Sequence, residues 1–331
     1  MTLRLLQHRG PDGTRSVIAA RGDAAHVVPG VASIRELAER AIAAGQDLAS
    51  AVAACGEGAA FDLAAEQARL IAPIDHDDPA HLIMTGTGLT HLGSAEGRDK
   101  MHRDAAAAAT QTDSMRMFLA GVEGGKPAAG AVGQQPEWFY KGDGTQLVGP
   151  GEALTMPGFA QDGGEEPELA GIYLIGPDGQ PHRLGFCLAN EFSDHVTERW
   201  NYLWLAHSKL RQASLGPELI VGLTPDHVEG TSRILRDGRT VWEKPFLSGE
   251  ANMSHSFANL EHHHFKYPLF RRPGDVHVHF FGTATLSFAD GVTTQEGDVF
   301  EIAAAPFTLP LRNPLARDAA PADAIATVGV L

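Results

Sequence analysis

Glu166 and Glu168 stand two residues apart in Glu166-Pro167-Glu168-Leu169-Ala170. On a β-strand, residues i and i+2 point to the same face, so the two carboxylates project together. The apolar run at residues 169–175 continues that strand. Gly176-Pro177-Asp178-Gly179 follows as a turn signal, because proline presets φ and glycine accepts a positive φ. Residues 181–188 read as the returning strand. The return carries Glu191 back towards the carboxylate pair. Converging carboxylates repel one another unless they take up protons or bind a cation. Hard oxygen donors with no cysteine among them favour Mg²⁺, Mn²⁺ or Ca²⁺. Glu166, Glu168 and Glu191 are therefore the candidate metal ligands, with Mg²⁺ the first expectation. Taken alone, a Glu-x-Glu pair is more often a solvated acidic strand end, so the rest of the chain must decide.

Several further blocks stand in order around this pair. They are Pro136-Glu137-Trp138-Phe139-Tyr140-Lys141, Val148-Gly149-Pro150-Gly151-Glu152-Ala153, Gly185-Phe186, Asn190-Glu191-Phe192-Ser193, Ser208-Lys209, Leu215-Gly216-Pro217, Gly282-Thr283-Ala284 and Gly297-Asp298-Val299-Phe300-Glu301-Ile302. As an ordered set, together with Glu166-Pro167-Glu168, they resemble the fumarylacetoacetate hydrolase superfamily over roughly residues 80–312. Within it the chain looks most similar to the 2-keto-3-deoxy-arabinonate dehydratases. The resemblance implies a β-rich sandwich or rolled-sheet core with the metal site at one mouth. It also places Lys141 and Lys209 near the active centre. A lysine near a divalent cation has its ammonium form disfavoured and is suited to act as a base.

The segment Gly88-Leu89-Thr90-His91-Leu92-Gly93-Ser94-Ala95-Glu96 bears on the reaction type. The C–C hydrolases of the superfamily carry a histidine where this chain has Ser94, and that histidine works with a glutamate to activate water. His91 falls where the family usually has tyrosine. Glu96 matches an acidic residue of the dehydratase-like members. The third metal ligand is aspartate in the family and Glu191 here. The expected activity is thus a metal-dependent dehydratase acting on a 2-keto-3-deoxy sugar acid, first a pentonate. Lys209 is the expected base at C3, and Glu96 is the alternative base and the general acid. Substrate contacts are expected from Lys141, Thr283, Ser94 and His91. The alternatives are an acylpyruvate-type C–C hydrolase or an oxaloacetate decarboxylase, and, outside enzymes, a keto-acid-binding protein.

Composition narrows the remaining classes. The 331 residues carry a net charge of −15, which disfavours nucleic acid and anionic membranes as partners. An anionic substrate stays compatible, because a metal and a lysine can invert the local field. Two cysteines, Cys55 and Cys187, make no disulfide framework and read as buried thiols in a reducing compartment. No signal peptide and no 18-residue apolar window is visible, so the expected location is cytoplasmic. The expected assembly is a homodimer or a higher homo-oligomer.

The positioning elements suggest an α+β fold with a small N-terminal cap, residues 1–72, before a catalytic domain, residues 73–331. Strands are expected at residues 3–7 and 14–20 around Gly10-Pro11-Asp12-Gly13. Ser33 and Glu36 form a capping box for a helix at 34–44 ending at Gly45. Helices follow at 48–55, 63–71 and 99–121, and one at 252–270 with Ser254 as cap. Later strands are expected at 219–222, 231–237, 239–244, 276–281 and 284–288, with Asp237-Gly238 and Asp290-Gly291 as hairpin turns. Three consecutive histidines, His262 to His264, point in three directions on a helix and read as a polar helix end or subunit contact. His277 and His279 share a strand face, but no third ligand for a zinc ion accompanies them.

Overall fold

The computed structural model describes residues 2–92 and 112–331. Ser94, Glu96 and most of the helix expected at 99–121 lie outside the described residues. The chain opens with a hairpin of β1 (Leu3–Arg9) and β2 (Arg15–Arg21), turned at Gly13 with φ +84°. Strand β3 (Ala24–Val28) extends it. Helix α1 (Ile34–Ala44) starts where Ser33 accepts the Glu36 N–H and stops at Gly45, which is left-handed with φ 64°. Its face Ile34, Leu37, Ala38 and Ala41 is buried with Leu3, Leu5 and Val17. Helix α2 (Leu48–Cys55) is capped by Asp47. The helix expected at 63–71 is only α3 (Leu63–Glu66). It gives way to β4 (Leu70–Ile71), because β1 takes Leu70 and Ile71 as antiparallel partners.

Beyond this come β5 (Leu82–Gly86), α4 (Asp113–Gly124), β6 (Phe139–Asp143), β7 (Leu147–Val148) and β8 (Leu154–Met156). The long hairpin of β9 (Pro167–Ile175) and β10 (Pro181–Asn190) follows, then the short helices α5 (His195–Trp200) and α6 (Leu205–Lys209). The chain continues through β11 (Ala213–Leu215), β12 (Leu219–Val221), β13 (Val228–Arg236) and β14 (Arg239–Ser248). It ends in α7 (Phe257–Phe265), β15 (Val276–Phe280), β16 (Val299–Ala304) and β17 (Leu311–Arg317).

Among the described residues two sheets result, so the fold is mixed α and β with strands dominant. The path of the larger sheet is β3-β2-β1-β12-β10-β9-β15-β5-β6, with β4, β7 and β11 attached at its side. The smaller runs β14-β13-β16-β17-β8. Leu5 pairs with Leu219, so the first strands are hydrogen-bonded into the sheet that carries the carboxylate hairpin. β9 is buried at every position, as a central strand covered on both faces must be. Leu169, Phe186 and Leu188 from β9 and β10 meet Phe246, Ile302 and Leu311 of the smaller sheet, with Phe257 and Leu260 of α7. Each such aromatic or leucine contributes about 1.5–3 kcal/mol by burial. Among the described residues no helix is long and apolar enough to cross a membrane.

Several expectations need correction. α7 is shorter than residues 252–270, and Ser256, not Ser254, caps it, because Ser254 is engaged with the Leu89 and Thr90 carbonyls. Residues 284–288 form no strand. The Ser287 N–H and hydroxyl both donate to Glu165, and Asp290-Gly291 closes a 3-10 turn rather than a hairpin. Cys187 is buried as expected, whereas Cys55 is only half-buried.

The histidine tract is not a polar helix end throughout. His262 is exposed, but the His264 ring is buried, accepts from Trp138 Nε1 at 3.3 Å and stacks on Phe270. His264 Nε2 meets His277 Nδ1 at 3.0 Å, and His279 Nδ1 meets the Thr85 hydroxyl at 2.8 Å. Among the described residues no histidine group gathers three ligand atoms within 4.8 Å of one another, so this is a packed polar cluster.

Burial pushes the His264 imidazole down to about 3 and holds His277 and His279 well below the ordinary value. Unfolded imidazoles take up protons near pH 6.5 while these stay neutral. The cluster therefore costs nothing above that pH and loses stability as pH falls below it, by about 1.4 kcal/mol per pH unit for each ring. Buried carboxyls with raised pKa act in the opposite sense, so a variant must isolate the ring. His279→Asn keeps a partner for Thr85. The expected outcome, from urea unfolding at pH 7, 6 and 5, is a shallower acid loss than in the parent by about one proton. Equal slopes would mean His279 is not held neutral.

Candidate metal centre

The β9–β10 hairpin sets the carboxylates by register. Glu168 lies opposite Ala189, and Pro167 opposite Asn190. Glu166 precedes β9 by one residue and Glu191 follows β10 by one. The Glu191 N–H donates to the Glu166 carbonyl at 3.1 Å, and the Asn190 side-chain oxygen accepts the Glu166 N–H at 3.2 Å. Each of the three glutamates thereby brings one carboxylate oxygen within 4.8 Å of the others, all buried. Glu168 Oε2 accepts the Gly282 N–H at 2.7 Å. Gly282 holds φ +89°, and a Cβ there would stand 2.6 Å from the Thr90 hydroxyl, so only glycine fits this approach. Among the described residues Glu168 Oε1 has no hydrogen-bond partner.

Two lysines complete the cluster. Lys209, the last residue of α6, bonds Glu166 Oε1 and lies 3.1 Å from Glu191 Oε2, with its ammonium over the Phe139 ring. Lys141 on β6 is fully buried; its ammonium donates to the Phe192 carbonyl and lies 3.6 Å from Glu191 Oε1. Asp194 sets the start of α5 by accepting the Thr197 N–H at 2.9 Å, and also takes Arg211 at 3.1 Å and the Gln161 N–H at 3.0 Å.

Electrostatics follow from this packing. Burial and the neighbouring Glu191 and Glu166 hold the Glu168 carboxyl well above its ordinary value. Burial lifts Glu191 to about 7 against the pull of Lys209. Burial also opposes ionisation of Glu166, but Lys209 and His195 outweigh it and keep that carboxyl well below the usual range. Burial lowers Lys141 to about 8, partly offset by Glu191. Lys209 departs from the sequence expectation: despite burial, Glu166 and Glu191 raise it above its ordinary value. The donor set fits a hard divalent cation, since three oxygens converge and, among the described residues, two buried triad oxygens, Glu168 Oε1 and Glu191 Oε1, have no hydrogen-bond partner. Two surface clefts of about 670 and 690 Å³ lie elsewhere, and neither is lined by a carboxylate of the triad.

The other sequence candidates fall as follows. Thr283 follows Gly282, is partly exposed, and its hydroxyl accepts the Thr285 N–H at 3.2 Å. His91 is buried, pushed down to about 4 by burial, and bonded to the Ser248 hydroxyl at 3.0 Å. Ser94 and Glu96 lie outside the described residues. Sequence reasoning missed Glu165, Asp162 and His195. Glu165 is fully buried, raised to about 7 by burial, and ties Ser287 to the site. His195 lies 3.1 Å from Glu166 Oε1 and 3.3 Å from Asp162 Oδ2. The signal available was an ionisable residue four places after a candidate ligand.

No family profile matches the sequence, and no curated protein matches it. Solved structures do match the fold. A hexagonal crystal form of 2-keto-3-deoxyarabinonate dehydratase superposes with TM-score 0.69 at 18% identity, over 95% of this chain and 99% of that one. A 2-keto-3-deoxy-D-arabinonate dehydratase complexed with magnesium and 2,5-dioxopentanoate gives TM-score 0.68 at 18% identity, over 96% and 99%. A 5-carboxymethyl-2-hydroxymuconate delta-isomerase from Mycobacterium smegmatis gives TM-score 0.55 at 18% identity, over 96% and 100%. The chain thus shares the fold of these dehydratase and isomerase enzymes along nearly its whole length.

Glu168→Gln should abolish saturable Mg²⁺ or Mn²⁺ binding while leaving the melting temperature of the metal-free protein close to the parent's, since it replaces a carboxyl already held protonated by a neutral amide of the same shape. Thermal shift with and without metal checks both parts. Because Glu168 and Glu191 hold protons near neutrality, metal affinity should rise with pH through about 7 as binding displaces them. Calorimetry in buffers of different ionisation enthalpy reads the released protons. A pH-independent affinity would contradict the shared-proton cluster.

Proposed function

We propose that this protein is a divalent-metal-dependent hydro-lyase that removes water from a 2-keto-3-deoxy sugar acid, a pentonate first, to give a 2-keto acid semialdehyde. The observation that carries the reading is the buried Glu166–Glu168–Glu191 triad flanked by Lys209 and Lys141, on a fold shared with such a dehydratase. Glu166, Glu168 and Glu191 would hold the ion, with Mg²⁺ preferred over Mn²⁺ or Ca²⁺. A bound ion supplies Lewis-acid stabilisation of negative charge on the substrate's keto oxygen.

The chain's own residues do the rest. With three ionised carboxylates and two ammonium groups, a divalent cation leaves the cluster one positive charge in excess, which one substrate carboxylate cancels. Lys141, buried and facing Glu191, orients that anion or a hydroxyl, and Thr283 offers a hydroxyl next to Gly282. Lys209 takes a proton from C3. It is held as ammonium while it pairs with Glu166 and Glu191 and counts as such when the anion binds; it becomes a base once those carboxylates are engaged as ligands and its ammonium proton has passed to solvent. The C3–H electrons form the C3–C4 double bond, and the C4 hydroxyl leaves as water with a proton from Glu96. Proton transfer from C5 to C3 then gives the C4=C5 enol, whose hydroxyl proton passes to C4 to yield the aldehyde. His91, Ser94 and Glu96 belong to one segment, which this reading places at the substrate. The protein would act in the cytoplasm as a homo-oligomer.

Incubation with Mg²⁺ and a panel of 2-keto-3-deoxy acids, acylpyruvates and oxaloacetate, followed by NMR, tests the reaction. A semialdehyde supports it. Pyruvate with a second acid, or CO₂ release, replaces it with hydrolase or decarboxylase chemistry, and binding without turnover leaves a keto-acid binder. For the base, Lys209→Met should lower turnover by roughly two to four decades and C3 exchange with D₂O in parallel. Borohydride should trap no adduct on Lys209. A trapped adduct would mean Schiff-base chemistry instead, and unchanged C3 exchange would move the base to Glu96.

A further inference from the structure

We propose that His195, backed by Asp162, is a positioning residue that dictates which oxygen of Glu166 faces the ion; this rests on the metal-centre reading above. The His195 ring is the first side chain of α5 and is 1% exposed. Its Nε2–H donates to Glu166 Oε1 at 3.1 Å. The ammonium of Lys209 binds that same oxygen. Both donors therefore occupy Oε1, and Oε2 is the oxygen left for a cation. A carboxylate free to rotate would offer either oxygen, or both.

The ring is itself fixed on three sides. Nδ1 lies 3.3 Å from Asp162 Oδ2, a charge contact without hydrogen-bond geometry, and among the described residues neither atom has a hydrogen-bond partner. One face stacks on Phe288, with centroids 5.4 Å apart. Phe288 follows Ser287, which Glu165 holds through both its N–H and its hydroxyl. On another side runs Gly164, where a Cβ would stand 2.5 Å from Nδ1. Gly164 is locked there by paired bonds to Ser193, at 3.0 and 3.1 Å. A histidine buried only to fill space has no need for two carboxylates, one at each ring nitrogen. Here one belongs to the triad and the other reaches it only through the ring. Ligand-orienting partners of this kind change metal affinity by about 10–100-fold when removed.

Mn²⁺ titration of the purified protein, followed by electron paramagnetic resonance of the free ion, tests the assignment without turnover. His195→Ala should weaken Mn²⁺ binding about 10–100-fold. His195→Gln should bind close to the parent, because its amide nitrogen can reach the Nε2 position and donate to Glu166. Asp162→Asn should weaken binding by a smaller factor. Parental affinity in His195→Ala, or equal weakness in His195→Gln and His195→Ala, overturns the positioning role. If circular dichroism shows His195→Ala unfolded, Asp162→Asn decides, and parental binding in it overturns the proposal. Glu168→Gln runs alongside. A parent that binds no Mn²⁺ refutes the metal centre and this inference with it, whereas loss in Glu168→Gln with parental binding in His195→Ala refutes the inference alone.

Discussion

The structure is built around three carboxylates held out of water within a few ångströms of one another. Isolated, such a cluster would cost several kcal/mol per ion in desolvation, before repulsion is added. Nothing in the apolar core offsets that. The compensation is local and specific: Lys209 bridges Glu166 and Glu191, Lys141 faces Glu191, and the Gly282 N–H bonds Glu168. Each compensating group arrives from a different element, so the cluster dictates where β6, α6 and the loop after β15 must lie. The β9–β10 hairpin is the fixed member, because its register alone sets the spacing of the acids.

That arrangement explains why the site sits where long strands end. Carboxylates at the open end of a doubly covered hairpin inherit its rigidity, and the apolar contacts between the two sheets pack the strands that lead to them. The short helices α5 and α6 do what strands cannot. They turn the chain through a small arc, so that His195 and Lys209 approach Glu166 Oε1 together. Asp194, which accepts at the start of α5 and also holds Arg211, keeps that arc from relaxing.

Legibility in the sequence followed the range of the interaction. The ends of α1 were visible because Ser33, Glu36 and Gly45 act on their own backbone. The triad was visible because two acids at i and i+2, followed by a proline–glycine turn, are local signals that force Glu191 back. The resemblance to dehydratase blocks added the lysines, and the shared fold agrees with it. What failed was long-range. Residues 284–288 carry strand-like residues, but Glu165, 122 positions away, takes the hydrogen bonds of Ser287. The short α3 failed because β1 recruits Leu70 and Ile71. His195 and Asp162 carry no motif, and only the close passage of Gly164 brings them to Glu166. The protonation of Lys209 was read with the wrong sign for the metal-free protein, because its partners in space are anions.

The charge balance of the cluster ties binding to folding. With its acids ionised, the metal-free cluster is short of positive charge, and it relieves this by sharing protons, as the raised Glu168 and Glu191 carboxyls show. On the proposed function, a bound divalent cation would displace those protons, and a substrate carboxylate would then restore neutrality. Each step removes a strain left by the one before, so ion and anion should bind in that order and with positive coupling. Glu191 is central to this coupling. One of its oxygens faces Lys141 and the other Lys209, so a shift of its carboxylate towards a cation is felt by both ammonium groups at once. An aspartate at this position, one methylene shorter, would be hard pressed to reach both lysines from the same backbone. The longer side chain thus fits the proposed function, in which the group that would orient the substrate and the group that would move its proton both face a single carboxylate.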